Sequence, residues 1–368
     1  MSIVQNGRPH TTMMIVPTGV GAAIGGYAGD ALPVARAIAT VTDRLITHPN
    51  VLNGAQLYWP LPNAYYVEGY GLDQFAAGRW HLQPVHQNTI GLVLDQEIED
   101  DLRWRHLQAA DAARATLGLK IHGYVTTDAS LGVQLKQAAA ATWGTLERPD
   151  SLLRAVEHLL QSGCTAIAVI ARFPDDMDSD ALTDYRQGQG VDPLAGAEAV
   201  ISHLVVREFQ VPCAHAPALQ PLPLDPSISP RSAAEEIGYT FLPCVLAGLS
   251  KAPQFSTMAT ARSISAPDVD VLIVPASTLG GSATLSLSGT ATQIIAVKDN
   301  PTTLAVDAAA LNLNVVNVGS YLEAVGAIST QRAGIDISAL SPHIPHLQPL
   351  LQPSQHWSNP KHSVGHLG

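Results

Sequence analysis

Charge is scarce in this sequence. Asp, Glu, Lys and Arg make up only 14% of the 368 residues, against roughly 25% in typical soluble proteins. With 46% hydrophobic residues, the balance is the reverse of a disordered chain, which combines low hydrophobicity with high net charge. Cysteine is scarce too. Cys164, Cys213 and Cys244 are far apart, odd in number and without a C-x-x-C pair. A disulfide scaffold, a zinc knuckle and a thioredoxin-type redox site are therefore excluded. Internal repeats are missing, which removes collagen and coiled coil. Basic residues are outnumbered: 20 Lys+Arg against 31 Asp+Glu give a net charge of −11. Such a chain lacks the broad positive field that holds phosphate backbones, so no nucleic-acid partner is expected.

Long apolar runs are lacking as well. Phe241 to Leu249 reaches about half a membrane span and contains Pro243 and Gly248. No basic segment followed by an apolar core opens the sequence, and no basic amphipathic helix suggests a lipid surface. A soluble, cytoplasmic protein without a membrane partner is the expectation, with a homo-oligomer compatible with it.

What is present is an alternation of short apolar strands and amphipathic helices. Strands are predicted at 13–17, 45–46, 89–95, 120–126, 165–170, from 211, and at 269–275, 293–297 and 314–318. Their uniformly apolar character fits parallel sheets covered on both faces. About nine strands alternating with helices indicate an α/β, doubly wound architecture, read as two Rossmann-like lobes facing a cleft. A weak break puts the first lobe at 1–145 and the second at 146–340. Residues 341–368, rich in Pro, Gln and His (His343, His346, His356, His362, His366), read as a mobile tail. Residues 51–88 read as an irregular excursion, and 212–230, with six prolines, as irregular chain. A helix is predicted from Pro230 to about Leu249, proline being well placed at a first helical position.

In open α/β sheets, ligands bind beyond the carboxyl ends of the strands. Two glycine-rich segments lie there. Thr18, Gly19, Gly21, Gly25 and Gly26 follow the first strand; Ser277, Thr278, Gly280, Gly281 and Ser282 follow the strand at 269–275. Glycines between strand and helix let backbone N–H groups converge on an anion, helped by the helix dipole. The spacing is neither the dinucleotide fingerprint nor the phosphate-binding lysine loop. Tight packing and Ser/Thr side chains bonded to backbone explain the same residues without a ligand. His48 and Asn50, and Lys298 and Asn300, follow two further strands and are assigned to ligand binding with them.

Arg172 and Asp175 follow the most apolar strand, where a guanidinium can hold a carboxylate or phosphate through paired bonds. Asp175, Asp176 and Asp178 have the oxygen chemistry for magnesium, and a solvated acidic loop is the simpler account of Asp178 and Asp180. Histidine is a proton shuttle near neutral pH; His215 is placed to act as one, whereas His203, mid-helix among apolar neighbours, reads as a core residue. Glu198 lies on the same helix as His203. Glu235, Glu236 and Tyr239 follow Pro230, where acidic residues favour the helix dipole. No metal-ligand spacing is written, so no metal ligand is assigned and magnesium stays optional.

Several long segments carry a resemblance: IVPTGVGAAIGGYAGDALPVAR, LITHPNVLN, AIAVIARFPDD, GVDPLAGAEAVISHLVVREFQVPCAHAPAL, EEIGYTFLPCVLAGLSKAPQF and VPASTLGGSATLSLS with IIAVKDNPTTLAV. Over roughly residues 12–330 the chain resembles a domain-of-unknown-function family of cyanobacteria and plastid-bearing organisms. That resemblance implies a cytoplasmic or stromal protein and no particular activity. The Gly-Gly-Ser turn and following strand are similar in layout to the donor-binding lobe of two-lobed glycosyltransferases, over about 30 residues, and a fold analogy does not settle function.

Three functions stay open. The first is a transferase-like enzyme acting on a small anionic, phosphorylated metabolite, with Arg172 and Lys298 neutralising charge and His215 or Asp175 moving a proton. The second is a metal-assisted hydrolase or lyase using Asp175, Asp176, His203 and His215. The third is a ligand-sensing protein with the same pocket and no chemistry.

Overall fold

The two consecutive methionines of the first strand point to opposite sides of one sheet, and that alternation organises the molecule. The computed structural model describes residues 8–347 other than 28, 54, 139–140, 176–179 and 237–240. The tail from 348 onward, Asp176, Asp178 and Tyr239 lie outside the described residues.

One six-stranded sheet is formed by β1 (Thr11–Met14), β2 (Arg44–Thr47), β3 (Ala64–Tyr66), β12 (Val269–Pro275), β13 (Gln293–Val297) and β14 (Val316–Val318), in the order β14-β13-β12-β1-β2-β3. A four-stranded sheet has the order β10-β9-β5-β6, from β5 (Ile90–Leu94), β6 (Ile121–Thr126), β9 (Ala166–Arg172) and β10 (Cys213–Ala218). Every strand pair in these two sheets is parallel. Two antiparallel pairs complete the strands: β4 (His81–Gln83) with β11 (Gln254–Ser256), and β7 (Val133–Ala138) with β8 (Ala141–Leu146).

The α/β class follows from the period of two along the strands. In the larger sheet Met14, Leu45, Ile273 and Ile295 share one core with the apolar helix Phe241–Ser250. Met13, Ile46, Leu272 and Ile294 face the other way, onto the helices Gly69–Ala76 and Ser282–Ser288. In the smaller sheet Leu92, Ala168 and Ala214 join the first core. Val93, Ile167 and Val169 lie against the helices Pro149–Gln161 and Ala195–Phe209. The inner strands of both sheets are thus buried on both faces, as their uniform apolarity requires, while the edge strand β6 alternates half-buried and exposed residues. Helix Phe241–Ser250, buried almost all round, is shared by the two sheets.

Two expectations change. Each sheet takes strands from both sides of residue 145, so a boundary between 1–145 and 146–340 would cut both sheets. Residues 213–218 are not irregular but form β10. This is an edge strand, where Pro217 costs no ladder bond on its open side. The chain expected to be helical from Pro230 to about Leu249 is helical over Pro230–Glu236 and Phe241–Ser250, on either side of residues outside the described set.

Candidate functional site

The carboxyl ends of β1, β2, β3 and β12, together with β10 and the helix Ala195–Phe209, enclose a cavity of about 330 Å³. Thr18, His48, Asn50, His215, Thr278, Gly281 and Ser282 line it; all but His215, which lies within β10 rather than after it, sit beyond strand ends as expected. Residues from both sheets therefore meet across one hollow.

His48 is the N-cap of the short helix Pro49–Leu52 and is buried. Its Nε2 accepts the Val16 N–H at 3.0 Å, which fixes the neutral tautomer with the proton on Nδ1. Burial pushes its pKa down to about 4, against the Val16 hydrogen bond, which acts the other way. The ring is a neutral strut at physiological pH.

The titratable centre is on the opposite wall. Glu198 and Ser202 lie one turn apart on the helix Ala195–Phe209, hence on one face. His215 on β10 points between them. Its Nδ1 is 3.2 Å from Ser202 Oγ, and its Nε2 is 3.5 Å from Glu198 Oε2. Ser202 Oγ donates to the Ala199 carbonyl at 3.4 Å, so it accepts from His215 Nδ1–H. The Nε2 lone pair then faces the Glu198 carboxyl across that gap. The separation is long for a hydrogen bond, a common state of acid–base pairs before a ligand closes on them.

The third wall comes from the segment 51–88. Glu68, 3% exposed at its side chain, is the N-cap of helix Gly69–Ala76. Its Oε2 accepts from the amides of Tyr70 (2.8 Å) and Gly71 (3.2 Å). Desolvation raises its pKa, opposed by His203 and the two amides. His203 Nδ1 lies 3.2 Å from Glu68 Oε1 and donates its hydrogen to the Ala199 carbonyl. Asp73, one turn further along, accepts the Ala283 N–H at 3.1 Å. Its carboxyl is raised by desolvation, with that amide and His203 opposing. Glu235 completes the set and accepts from the Tyr185 hydroxyl.

The cavity thus holds four carboxylates (Glu68, Asp73, Glu198, Glu235) and three imidazoles, with no Lys or Arg in its described lining. Among the described residues no group of three or more His, Cys, Asp or Glu is placed to hold a metal ion.

The glycine-rich loops do not form the expected anion cradle. In the first, the amides of Ala23, Ile24 and Gly25 are taken by Pro301 O, Asn300 Oδ1 and Asp30 Oδ1. Gly19 meets Thr142, and Gly21 meets the Gly190 carbonyl. Gly25 has φ +87° and lies against Val16, so glycine is needed there for backbone and packing. Gly21 and Gly26 open onto a separate crevice with Tyr27 and Thr302. In the second loop Ser277 bonds to Thr302, Thr278 Oγ1 donates to the Pro275 carbonyl, and Gly280 lies under Val306. The helix N-terminus at Ser282 is already occupied by the Asp73 carboxylate.

Asn300, buried, ties Ile24 to the Tyr321 hydroxyl, and Lys298 is exposed outside the cavity. Arg172 and Asp175 are elsewhere. Arg172, 10% exposed, is paired with Glu99 and Asp175 and lines an acidic crevice with Glu97 and Glu147. Asp175 is therefore not brought to His203 and His215, and His203 is half exposed at the cavity rather than in the core.

Glu68 and Asp73 were missed because 51–88 carried no periodic pattern. The signal was Glu-Gly-Tyr-Gly before an apolar run, an acidic N-cap followed by a helix.

Comparison with known proteins places this arrangement in a lineage. The family described as "Protein of unknown function (DUF3326)" matches residues 11–341. The chain belongs to that family. A relative in Synechococcus sp., an "uncharacterized lipoprotein", is 64% identical over 339 residues, covering 91% of this chain and 94% of the relative. No solved structure matches. The relative's description overturns the cytoplasmic placement expected from the sequence, because lipoproteins are anchored to membranes by acyl chains. No helix among the described residues is long and apolar enough to cross a membrane, and the three cysteines of this DUF3326 chain are buried.

Proposed function

We propose that the cavity binds a small neutral or cationic molecule rich in hydroxyl or amino donors, and that His215 with Glu198 transfers a proton to or from it. The observation that carries this reading is the lining: four carboxylates and three imidazoles, with no Lys or Arg among the described residues. An anionic, phosphorylated metabolite was the sequence-based expectation. Here it would meet uncompensated negative charge, since Arg172 and Lys298 lie outside and the amides of Ala23, Ile24, Gly25 and Ala283 are already bonded. The volume suits a metabolite-sized ligand.

His215 is the residue assigned to move the proton. Ser202 fixes its tautomer through Nδ1, leaving the Nε2 lone pair to take a proton from a bound hydroxyl or amino group, with the Glu198 carboxyl beside it. His48 contributes position only.

Imidazole NMR signals of His203 and His215 followed during titration with polyols, amino alcohols and phosphate test the reading. Polyols and amino alcohols are expected to shift both signals while phosphate does not; a response to phosphate alone would overturn it. Once a turned-over compound is found in such a panel, His215→Gln is expected to lower kcat by about 10²-fold or more with KM changed far less. Binding with no turnover of any bound compound would reassign the cavity to ligand sensing.

A further inference from the structure

Glu68 has an oxygen with nothing to bond to. Its Oε2 is held by two amides, but Oε1 is buried and has no hydrogen-bond partner, and the residue lines the cavity. His203 Nδ1 is only 3.2 Å away, yet an imidazole nitrogen carries one hydrogen and this one goes to the Ala199 carbonyl. A buried carboxylate oxygen without a donor is costly, and one such group in a cavity marks where a ligand's donor belongs. Asp73 adds a second carboxylate to the same wall, with its Oδ1 fixed by the Ala283 amide. The absence of a side chain at Gly69 opens the space beside His203 Nε2, where a Cβ would come within 3.2 Å.

We propose that this wall is an ammonium subsite: Glu68 Oε1, backed by the charge of Asp73, accepts a hydrogen bond from the primary amine of a small amino alcohol. An ammonium group brings three hydrogens and one positive charge. It can therefore satisfy Oε1 and bring positive charge to the two carboxylates at once, which a neutral hydroxyl cannot. A divalent metal ion is less suited, because no three-ligand group is assembled. The inference rests on the cavity being the binding site, and it names the class of molecule bound there.

The test compares 3-amino-1,2-propanediol with glycerol, which differ only by ammonium for hydroxyl, in NMR titrations of the full chain. The amine is expected to bind at least tenfold more tightly than glycerol to the wild type. In Glu68→Gln the ratio is expected to fall to within about twofold. Should Glu68→Gln lose its thermal unfolding transition, Asp73→Asn carries the test: it keeps the oxygen that accepts from Ala283 and is expected to reduce the ratio about threefold. Equal affinities in the wild type, a ratio that survives both substitutions, or displacement of the amine by micromolar zinc would overturn the subsite. Glycerol binding without amine preference would remove the subsite and leave the donor-rich reading standing. Failure of both compounds to bind would remove both.

Discussion

At the scale of residues, the electrostatics of the cavity reach outward through Glu198. Asp192 sits at the foot of its helix, its Oδ1 accepting the Leu194 amide at 2.8 Å. Loss of hydration, then the negative charge of Glu198, pushes its carboxyl up to about 7. Its folded pKa therefore lies above the unfolded value of 3.8, so its contribution to stability is complete below that value and is lost as pH rises through about 7. Asp192→Asn keeps the acceptor and stays neutral. The variant is expected to match the wild type near pH 4 and to be more stable by ~1–2 kcal/mol at pH 8, discounting for the hydration this half-buried group retains. Denaturant melts at the two pH values check this; a difference independent of pH would contradict it. Individual site residues were legible only where they follow a strong strand. His48 and Ser282 follow their strands as that rule requires, whereas His215 was placed just after a strand that in fact contains it. Glu68 was not legible, because its role is set by burial and by an amide-capping geometry that no periodicity announces. Arg172 misled for the opposite reason: its position was right, but Glu99, 73 residues earlier, neutralises it.

At the scale of elements, the helix Phe241–Ser250 shows how close approach, not propensity, selects a residue. Gly248 lies inside it, where alanine would favour the helix by roughly 1 kcal/mol. A Cβ there would come within 2.5 Å of the Tyr66 ring. Tyr66 is buried, and its hydroxyl donates to Asn53 Oδ1 at 3.1 Å, so the ring is held from both ends. Gly248→Ala is expected to lower stability by ~1–3 kcal/mol in spite of the propensity gain; an unchanged or raised Tm would contradict this account. The helix ends on Asn88, which donates at 2.8 Å to the carbonyls of both Leu249 and Ala252. The apolar run announced this helix, and the β-branched runs announced most strands of the two parallel sheets. The β7–β8 hairpin was invisible for its polar, alternating composition, and the strand expected from 211 was cut short at its prolines, although β10 runs on through Pro217 to Ala218. The two glycine-rich turns were seen as elements and misread as surfaces, because sequence shows an amide but not what already bonds to it.

At the scale of the whole molecule, the fold class could be read and the division of the chain could not. Hydrophobic pattern identifies a buried parallel strand; it carries no information on which of two sheets the strand joins. The chain enters the larger sheet with β1 to β3, leaves for the smaller one through β5, β6, β9 and β10, and returns with β12 to β14. The two sheets share one core through residues such as Leu45, Leu92, Val245 and Ile273. Calorimetry is expected to show one unfolding transition with calorimetric and van't Hoff enthalpies in agreement. Two resolved transitions would mean that the sheets melt independently.

The pairing of Thr11 with Val269 has a consequence for synthesis. A ribosome releases β1 and β2 long before β12 exists, so an interior strand must wait, half-partnered, for more than two hundred residues to be made. Loops of that length delay closure, and nascent chains with open edges are exposed to mispairing. The hollow bounded by Ile15, His48 and Val274 is then among the last features to form, and a product cut short before residue 269 would have one wall of it missing altogether.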